Sequence, residues 1–406
     1  MWLTALLAAG LVGGASAENW PVWRGPRGDS ISLDTQAPIR WDPSSNLLWK
    51  VPVPGVGHAS PVVWGDRIFT ATAFPDRLQR ALVCFDRDTG RLVWQSTVAE
   101  GPLEPIHKEN TYASATPATD GERVYAAFRV GDALVVAAHF CRDGRQAWLV
   151  KPGNHVGEWG FSNEPILYKD MVIFDGDSKG DSFLIALDRE TGRTRWCVHR
   201  GNKGISYSAP FIREMAGRPQ LVQCGDRCVT GFDPDSGEPK WMVDGPSQEF
   251  AASPCYNEGA GLLYISSSWP ESHILAIRPD GVGNVTKSKV VWGDKKGAPY
   301  IVSLITLGDI LYSVNTAGVA YAYEAETGRV LWQEPLGRHH ASPVLLRGLL
   351  YLINDKGEIN VLRPGASFQR EAKYELGEPC YASPAISQGR VWVRGFKSLF
   401  CFGDVK

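Results

Sequence analysis

A tight turn followed by a tryptophan recurs along this chain, and no other feature narrows the fold so far. Residues 84–95 read CFDRDTGRLVWQ, with Gly90 four positions before Trp94. The arrangement returns as ALDRETGRTRW ending at Trp196, GFDPDSGEPKW ending at Trp241 and AYEAETGRVLW ending at Trp332. A weaker copy ends at Trp148, and Trp49, Trp292 and Tyr374 fill equivalent slots. A catalytic motif is needed once. A motif copied roughly every 40–50 residues is architecture.

A second marker runs in step with the first. A small or polar residue precedes Pro61, Pro117, Pro165, Pro210, Pro254, Pro343 and Pro384, and Ser303-Leu304 marks the unit that lacks the proline. Between markers lie four short β-type runs, in the first unit PVVWG, DRIFTAT, ALVCFD and RLVWQSTV. Short strands at this spacing, without helical periodicity, predict four-stranded antiparallel sheets. Eight such units predict an all-β, eight-bladed β-propeller. In each turn the Asp and Thr side chains bind local backbone and glycine supplies a positive φ. The tryptophan then falls on the outer strand, where it can pack on the next blade's turn. The last unit, residues 381–402, has three strands, whereas the Trp49 strand precedes every opening marker. The N-terminal strand is therefore expected to complete the last blade and leave no open edge.

The domain reading is a leader over residues 1–17, an arm over 18–46 and the propeller over 47–406. MWLTALLAAGLVGGASA has an apolar run and an Ala15-Ser-Ala17 cleavage pattern, which predicts a signal peptide and a periplasmic or secreted mature chain. No later apolar run is long enough to span a bilayer. With 42 basic against 44 acidic side chains, there is no electrostatic case for nucleic acid. A monomer is expected. The eight cysteines are scattered, and Cys224 with Cys228 reads as a hairpin disulfide or as two separate buried thiols.

Antiparallel strands bring the start of each inner strand and the loop between strands two and three to one face. Three residues before each marker stand His58, Ser114, Ser162, Tyr207, Ala251, Ile301, His340 and Tyr381. Immediately before it stand Ser60, Thr116, Glu164, Ala209, Ser253, Ser303, Ser342 and Ser383. Period-two alternation places both rings on one side of the strand. The second ring reads as small residues at a crowded axis, with Glu164 the one carboxylate. His58, Tyr112, Trp159, Glu164, Tyr207, His340 and Tyr381 are the candidate ligand-binding residues of this mouth. Asp175, Asp177 and Asp181 share a loop, but Lys179 and Ala186 stand where an EF-hand needs oxygen ligands. No hydrolase elbow, zinc-protease helix, P-loop or dinucleotide fingerprint occurs.

The Asp-x-x-Thr-Gly-x-x-x-Trp turns at Trp94 and Trp196, and the Glu324 variant at Trp332, resemble the PQQ-like (quinoprotein-type) β-propeller repeat. The resemblance covers residues 20–406, and WPVWRGPRGD at 20–29 is similar to the leading segment of exported bacterial members. It implies an eight-bladed ring and two kinds of function. Some members are dehydrogenases holding pyrroloquinoline quinone and calcium on the axis, where Asp177 falls near the metal-binding loop. Others are cofactor-free interaction scaffolds, such as the propeller subunit of the outer-membrane β-barrel assembly machine. This chain lacks the adjacent Cys-Cys pair, the long roofing insertions and the Asp base of the dehydrogenases. Fold alone does not choose. The expectation is an exported, non-catalytic scaffold, without a cofactor, binding a protein partner or small ligand at its axial face. The alternative is a quinoprotein-type dehydrogenase using pyrroloquinoline quinone and calcium. A polysaccharide-associated module, motivated by the aromatic rim, ranks third.

Overall fold

Each run of Val, Ile, Phe and Tyr between the markers forms an up-and-down sheet, and eight of these sheets make the ring. The computed structural model describes residues 18–404 except 202, 203, 246 and 268, so the leader expected over residues 1–17 lies outside the described residues. Blade 1 comprises Val62–Trp64, Arg67–Phe74, Gln79–Asp86 and Leu92–Glu100, and the other blades repeat it. The middle strands are buried on both faces, whereas the outer strand Leu47–Pro52 alternates between half-buried and exposed. The core therefore lies between blades. Phe69 and Leu82 of blade 1, for example, share a cluster with Val124 and Phe128 of blade 2.

The repeated turn does what its residues dictate. Asp86 Oδ1 accepts from the Thr89 N–H at 2.9 Å and its hydroxyl at 2.7 Å, and Gly90 has φ +71°. Its missing side chain makes room for an indole: a Cβ there would lie 2.8 Å from the Trp49 ring. Trp94 covers Gly144 in the same way, Trp148 covers Gly192, Trp196 covers Gly237 and Trp292 covers Gly328. The indole N–H also donates across the joint, from Trp94 to Cys141 O at 2.9 Å and from Trp332 to Gly365 O at 3.1 Å. Trp241 departs from the pattern. Its indole is buried and donates to Gln220 Oε1 of its own blade at 2.6 Å. The next blade replaces the tight turn with an insertion whose Gly283–Asn284 strand pairs in parallel with the Trp241 strand.

Ring closure follows the expected route. Leu47–Pro52 pairs antiparallel with Ser398–Gly403, from Leu47 opposite Phe402 to Pro52 opposite Ser398. The hairpin-disulfide alternative is corrected: all eight cysteines are free. The ladder sets Cys224 opposite Val229 and Gly225 opposite Cys228, so the two thiols fall on opposite faces of the sheet.

The arm before the closing strand crosses the channel on the face that carries the Asp-x-x-Thr-Gly turns. Trp20 bridges to Val63 of blade 1. Arg24 is buried and donates to Pro254 O and Leu304 O, both at 2.8 Å, on blades 5 and 6. Ile31–Ser32 then lies parallel to Val344–Leu346 of blade 7.

Candidate functional site

The other axial face holds a cavity of about 450 Å³. All eight residues three positions before the markers line it, together with Ser60, Thr116, Glu164, Ser342 and Ser383 from the second ring. Strand alternation thus turns two sequence positions per blade toward one axis.

The second ring is a hydrogen-bonded collar. The backbone N–H of Ser253 donates to Ser303 Oγ at 2.9 Å, and that of Ser303 to Ser342 Oγ at 3.0 Å. The N–H groups of Ser342 and Ser383 continue the chain to Ser383 Oγ and Ser60 Oγ, both at 2.9 Å. Ser60 N–H then donates to Thr116 Oγ1 at 3.0 Å. Glu164 occupies the next position, and its carboxyl accepts the Thr116 N–H and its own N–H. Ala209 follows with no hydroxyl to offer. Burial pushes the Glu164 carboxyl up to about 8, against the downward pull of those two N–H groups. The charged carboxylate expected at the neck is therefore a neutral carboxyl at pH 7.

One wall of the cavity is aromatic. His340 stacks on Tyr381 with ring centroids 3.9 Å apart, and His58 meets Tyr381 edge-on at 4.8 Å. Burial, then the charge of Arg394 and of His340, push His58 down to about 3, so it stays neutral. His340 Nδ1 lies 2.9 Å from Asp355 Oδ1, which fixes the ring. Opposite, Trp159 is 44% exposed at the rim, and His107 packs edge-on against it at 5.7 Å. Tyr207 lines the cavity from blade 4, and its buried hydroxyl has no hydrogen-bond partner among the described residues.

Two parts of this site were missed in the sequence. The floor is Trp23, carried up from below by the arm, because Arg24 binds the carbonyls that directly follow Ser253 and Ser303. The roof is a strap, the connection of residues 101–117. Asn110 Nδ2 donates to Trp159 O at 2.7 Å, and Glu109 crosses to Arg338 of blade 7 in a two-pronged pair at 2.6 and 2.7 Å. That ion pair holds the Glu109 carboxyl below its ordinary range. Its length was the available signal, since long structureless connections are commonly functional.

Tyr112 stands outside the cavity, contrary to expectation. Thr111 and Ser114 close a short turn, with their hydroxyls 3.0 Å apart, so strand alternation does not extend back to residue 112. Its ring lies 5.6 Å from the Arg80 guanidinium and packs on the core between blades 1 and 2. Asp177, the calcium candidate, is buried with its Oδ1 3.1 Å from Arg200 Nε. A guanidinium occupies that side of the carboxylate.

A protein-family profile described as Outer membrane protein assembly factor BamB matches residues 35–155, 79–268 and 288–405. The chain belongs to the BamB family of PQQ-type propellers. Outer membrane protein assembly factor BamB of Yersinia pestis is 22% identical over 379 residues, 88% of this chain and 87% of that protein. Quinoprotein ethanol dehydrogenase of Pseudomonas putida is 27% identical over 282 residues, 66% of this chain but 40% of the enzyme. The 1-butanol dehydrogenase (quinone) of Thauera butanivorans is 31% identical over 147 residues, 33% of this chain and 22% of that one. The chain thus spans well under half the length of either dehydrogenase. Among solved structures, BamB from Moraxella catarrhalis superposes with a TM-score of 0.62 at 15% identity, over 88% of this chain and 97% of that one. That likeness concerns the fold.

The residues of this BamB-family cavity do not fit an anionic quinone held with calcium. Such a group is a tricarboxylate and calls for cations, and among the described lining residues the one arginine, Arg338, is already tied to Glu109. Calcium needs several oxygen anions. Among the described residues no three His, Cys, Asp or Glu are grouped to hold a metal ion.

Proposed function

We propose that this chain is an exported BamB-family scaffold that binds a small ligand or a protein segment in its axial cavity and performs no chemistry there. The observation that carries this reading is the collar. Its hydroxyls and the Glu164 carboxyl are committed to neighbouring backbone N–H groups, and the Asp355–His340 pair at the wall stacks its imidazole on Tyr381, with no collar hydroxyl hydrogen-bonded to it among the described residues. Catalytic sites need a nucleophile and its base within hydrogen-bond reach. A blind cavity with aromatic walls instead offers shape and stacking, which is what binding requires. Export follows from the N-terminal cleavage pattern, and no helix among the described residues is long and apolar enough to cross a membrane.

The test uses a photoreactive side chain at Ile301 in the cavity and, as control, at Val330 on an exposed outer strand. In cells, adducts should form at Ile301 and not at Val330. Adducts confined to Val330 would move binding to the blade edges. The dehydrogenase alternative is met by titrating the protein with pyrroloquinoline quinone and calcium and following absorbance and dye-linked ethanol oxidation. Stoichiometric binding with turnover would replace the scaffold reading.

A further inference from the structure

We propose that the axial cavity takes an uncharged, polyhydroxylated ring, of the kind found in neutral sugars and cyclic polyols, and turns away organic anions of similar size. This rests on the axial cavity being the binding site. It adds the chemical class of what enters.

Hydrogen-bonding direction gives the first argument. Ser60, Thr116, Ser342 and Ser383 line the cavity, and each oxygen already accepts a backbone N–H from the adjacent blade. A hydroxyl has one proton to give. With the oxygen engaged, that proton is left for an acceptor in the lumen. The Tyr207 hydroxyl is buried behind the wall, so this residue meets the lumen with its ring. The neck therefore presents several neutral hydroxyls in a ring, a pattern matched by a ligand with hydroxyl oxygens around its edge.

Charge gives the second. Glu109 and Arg338 neutralise each other across the roof. Asp355 is turned to His340, and the Glu164 carboxyl is held by two N–H donors. A carboxylate entering this space would lose its water and find no free Lys or Arg among the described lining residues, which is unfavourable. A ligand ammonium would find no free carboxylate among the described lining residues. Stacking gives the third. The Tyr381–His340 wall and the Trp159 rim are flat surfaces suited to the apolar face of a saturated ring, while the hydroxyl edge faces the collar. A volume of about 450 Å³ sits at the small-ligand end of binding pockets, roughly 300–1,000 Å³.

Trp23 and Trp159 both line the cavity, so intrinsic fluorescence reports its occupancy. The full mature chain is titrated with glucose, galactose, N-acetylglucosamine, cellobiose, maltose and myo-inositol, and in parallel with glucuronate, galacturonate and pyrroloquinoline quinone. At least one neutral ring should give a saturable signal, with its uronate counterpart about tenfold weaker or more. Trp159→Ala, followed by calorimetry, should weaken the neutral ligand by up to about tenfold with an unchanged melting temperature, a combination that a purely structural tryptophan would not give. Equal or tighter binding of a uronate or of the quinone would overturn the proposal, as would silence from every neutral ring. If the rings are silent while the Ile301 photoprobe still captures a protein, the ligand class fails and the binding site stands. If both are silent, the two readings fall together.

Discussion

The two ends of the central channel are built from the same eight inner strands and finished in opposite ways. On the face of the Asp-x-x-Thr-Gly turns the chain fills the channel with its own arm, burying Trp20, Arg24 and Ser30. On the other face the loops differ from blade to blade, and they stand over an open cavity under a strap held by an exposed ion pair. The sealed end is regular and buried. The open end is irregular, with polar groups at its neck and aromatic rings at its rim. Residues at the sealed end should thus set stability, and residues at the open end should set what is bound.

The harshest way to break this comparison is to remove the sealed end. Deleting residues 18–55 takes away the plug and the strand paired with Ser398–Gly403, and exposes a blade edge. The expected product is insoluble. A soluble deletion protein with an unchanged melting temperature would mean that the ring does not depend on this segment.

Trp196→Ala tests one joint on the same face. It removes an indole lying over Gly237 at the junction of blades 3 and 4, where a Cβ would come within 2.7 Å. Truncation of a packed tryptophan typically costs about 3–5 kcal/mol. Denaturant unfolding should show a loss of this order, with ligand binding unaffected.

Glu164 lies at the boundary between the two ends. Its folded-state pKa, about 8, stands above the ordinary 4.5. The native state therefore keeps a proton that the unfolded chain releases. Its contribution is fully present below pH 4.5 and is lost as pH rises through about 8, with a slope near 1.4 kcal/mol per pH unit in that window. Glu164→Gln should flatten this part of the stability profile, becoming the more stable protein toward pH 8. Parallel profiles for the two proteins would show that the carboxyl is not held neutral.

The smallest effect belongs to the strap. Glu109→Gln breaks an exposed pair with Arg338, and such pairs contribute about 0–1 kcal/mol. Stability should barely change in chemical denaturation, while ligand exchange, followed by stopped-flow fluorescence, should quicken and lose its salt dependence. A large stability loss would make the open end as structural as the sealed one.

What could be read from the sequence follows the same division. Copied features were legible, because repetition separates architecture from accident. The Asp86-to-Gly90 turn, the Trp49 closing strand and the two axial rings all follow from period and strand alternation. Features that occur once were not. Trp23 reaches the cavity through Arg24, whose carbonyl partners lie more than 200 positions away, a contact with no local pattern. Glu109 finds Arg338 across the ring. Tyr112 was expected at the mouth, but the chain turns between Thr111 and Ser114 and its ring packs on the core between blades 1 and 2. The raised pKa of Glu164 comes from burial, which its own neighbours in sequence do not announce.

The claim that one end is sealed and the other open has a direct measurement. Ser162→Cys places a thiol on the cavity wall, and Ser30→Cys places one in the buried arm beside Arg24. The native folded proteins are treated with a small water-soluble thiol reagent, and labelling at each position is followed by peptide mass spectrometry. The account predicts prompt labelling at 162, slowed by any ligand that fills the cavity, and protection at 30 until the protein unfolds. Equal labelling of both positions in the folded state, or protection at 162 with exposure at 30, would contradict it.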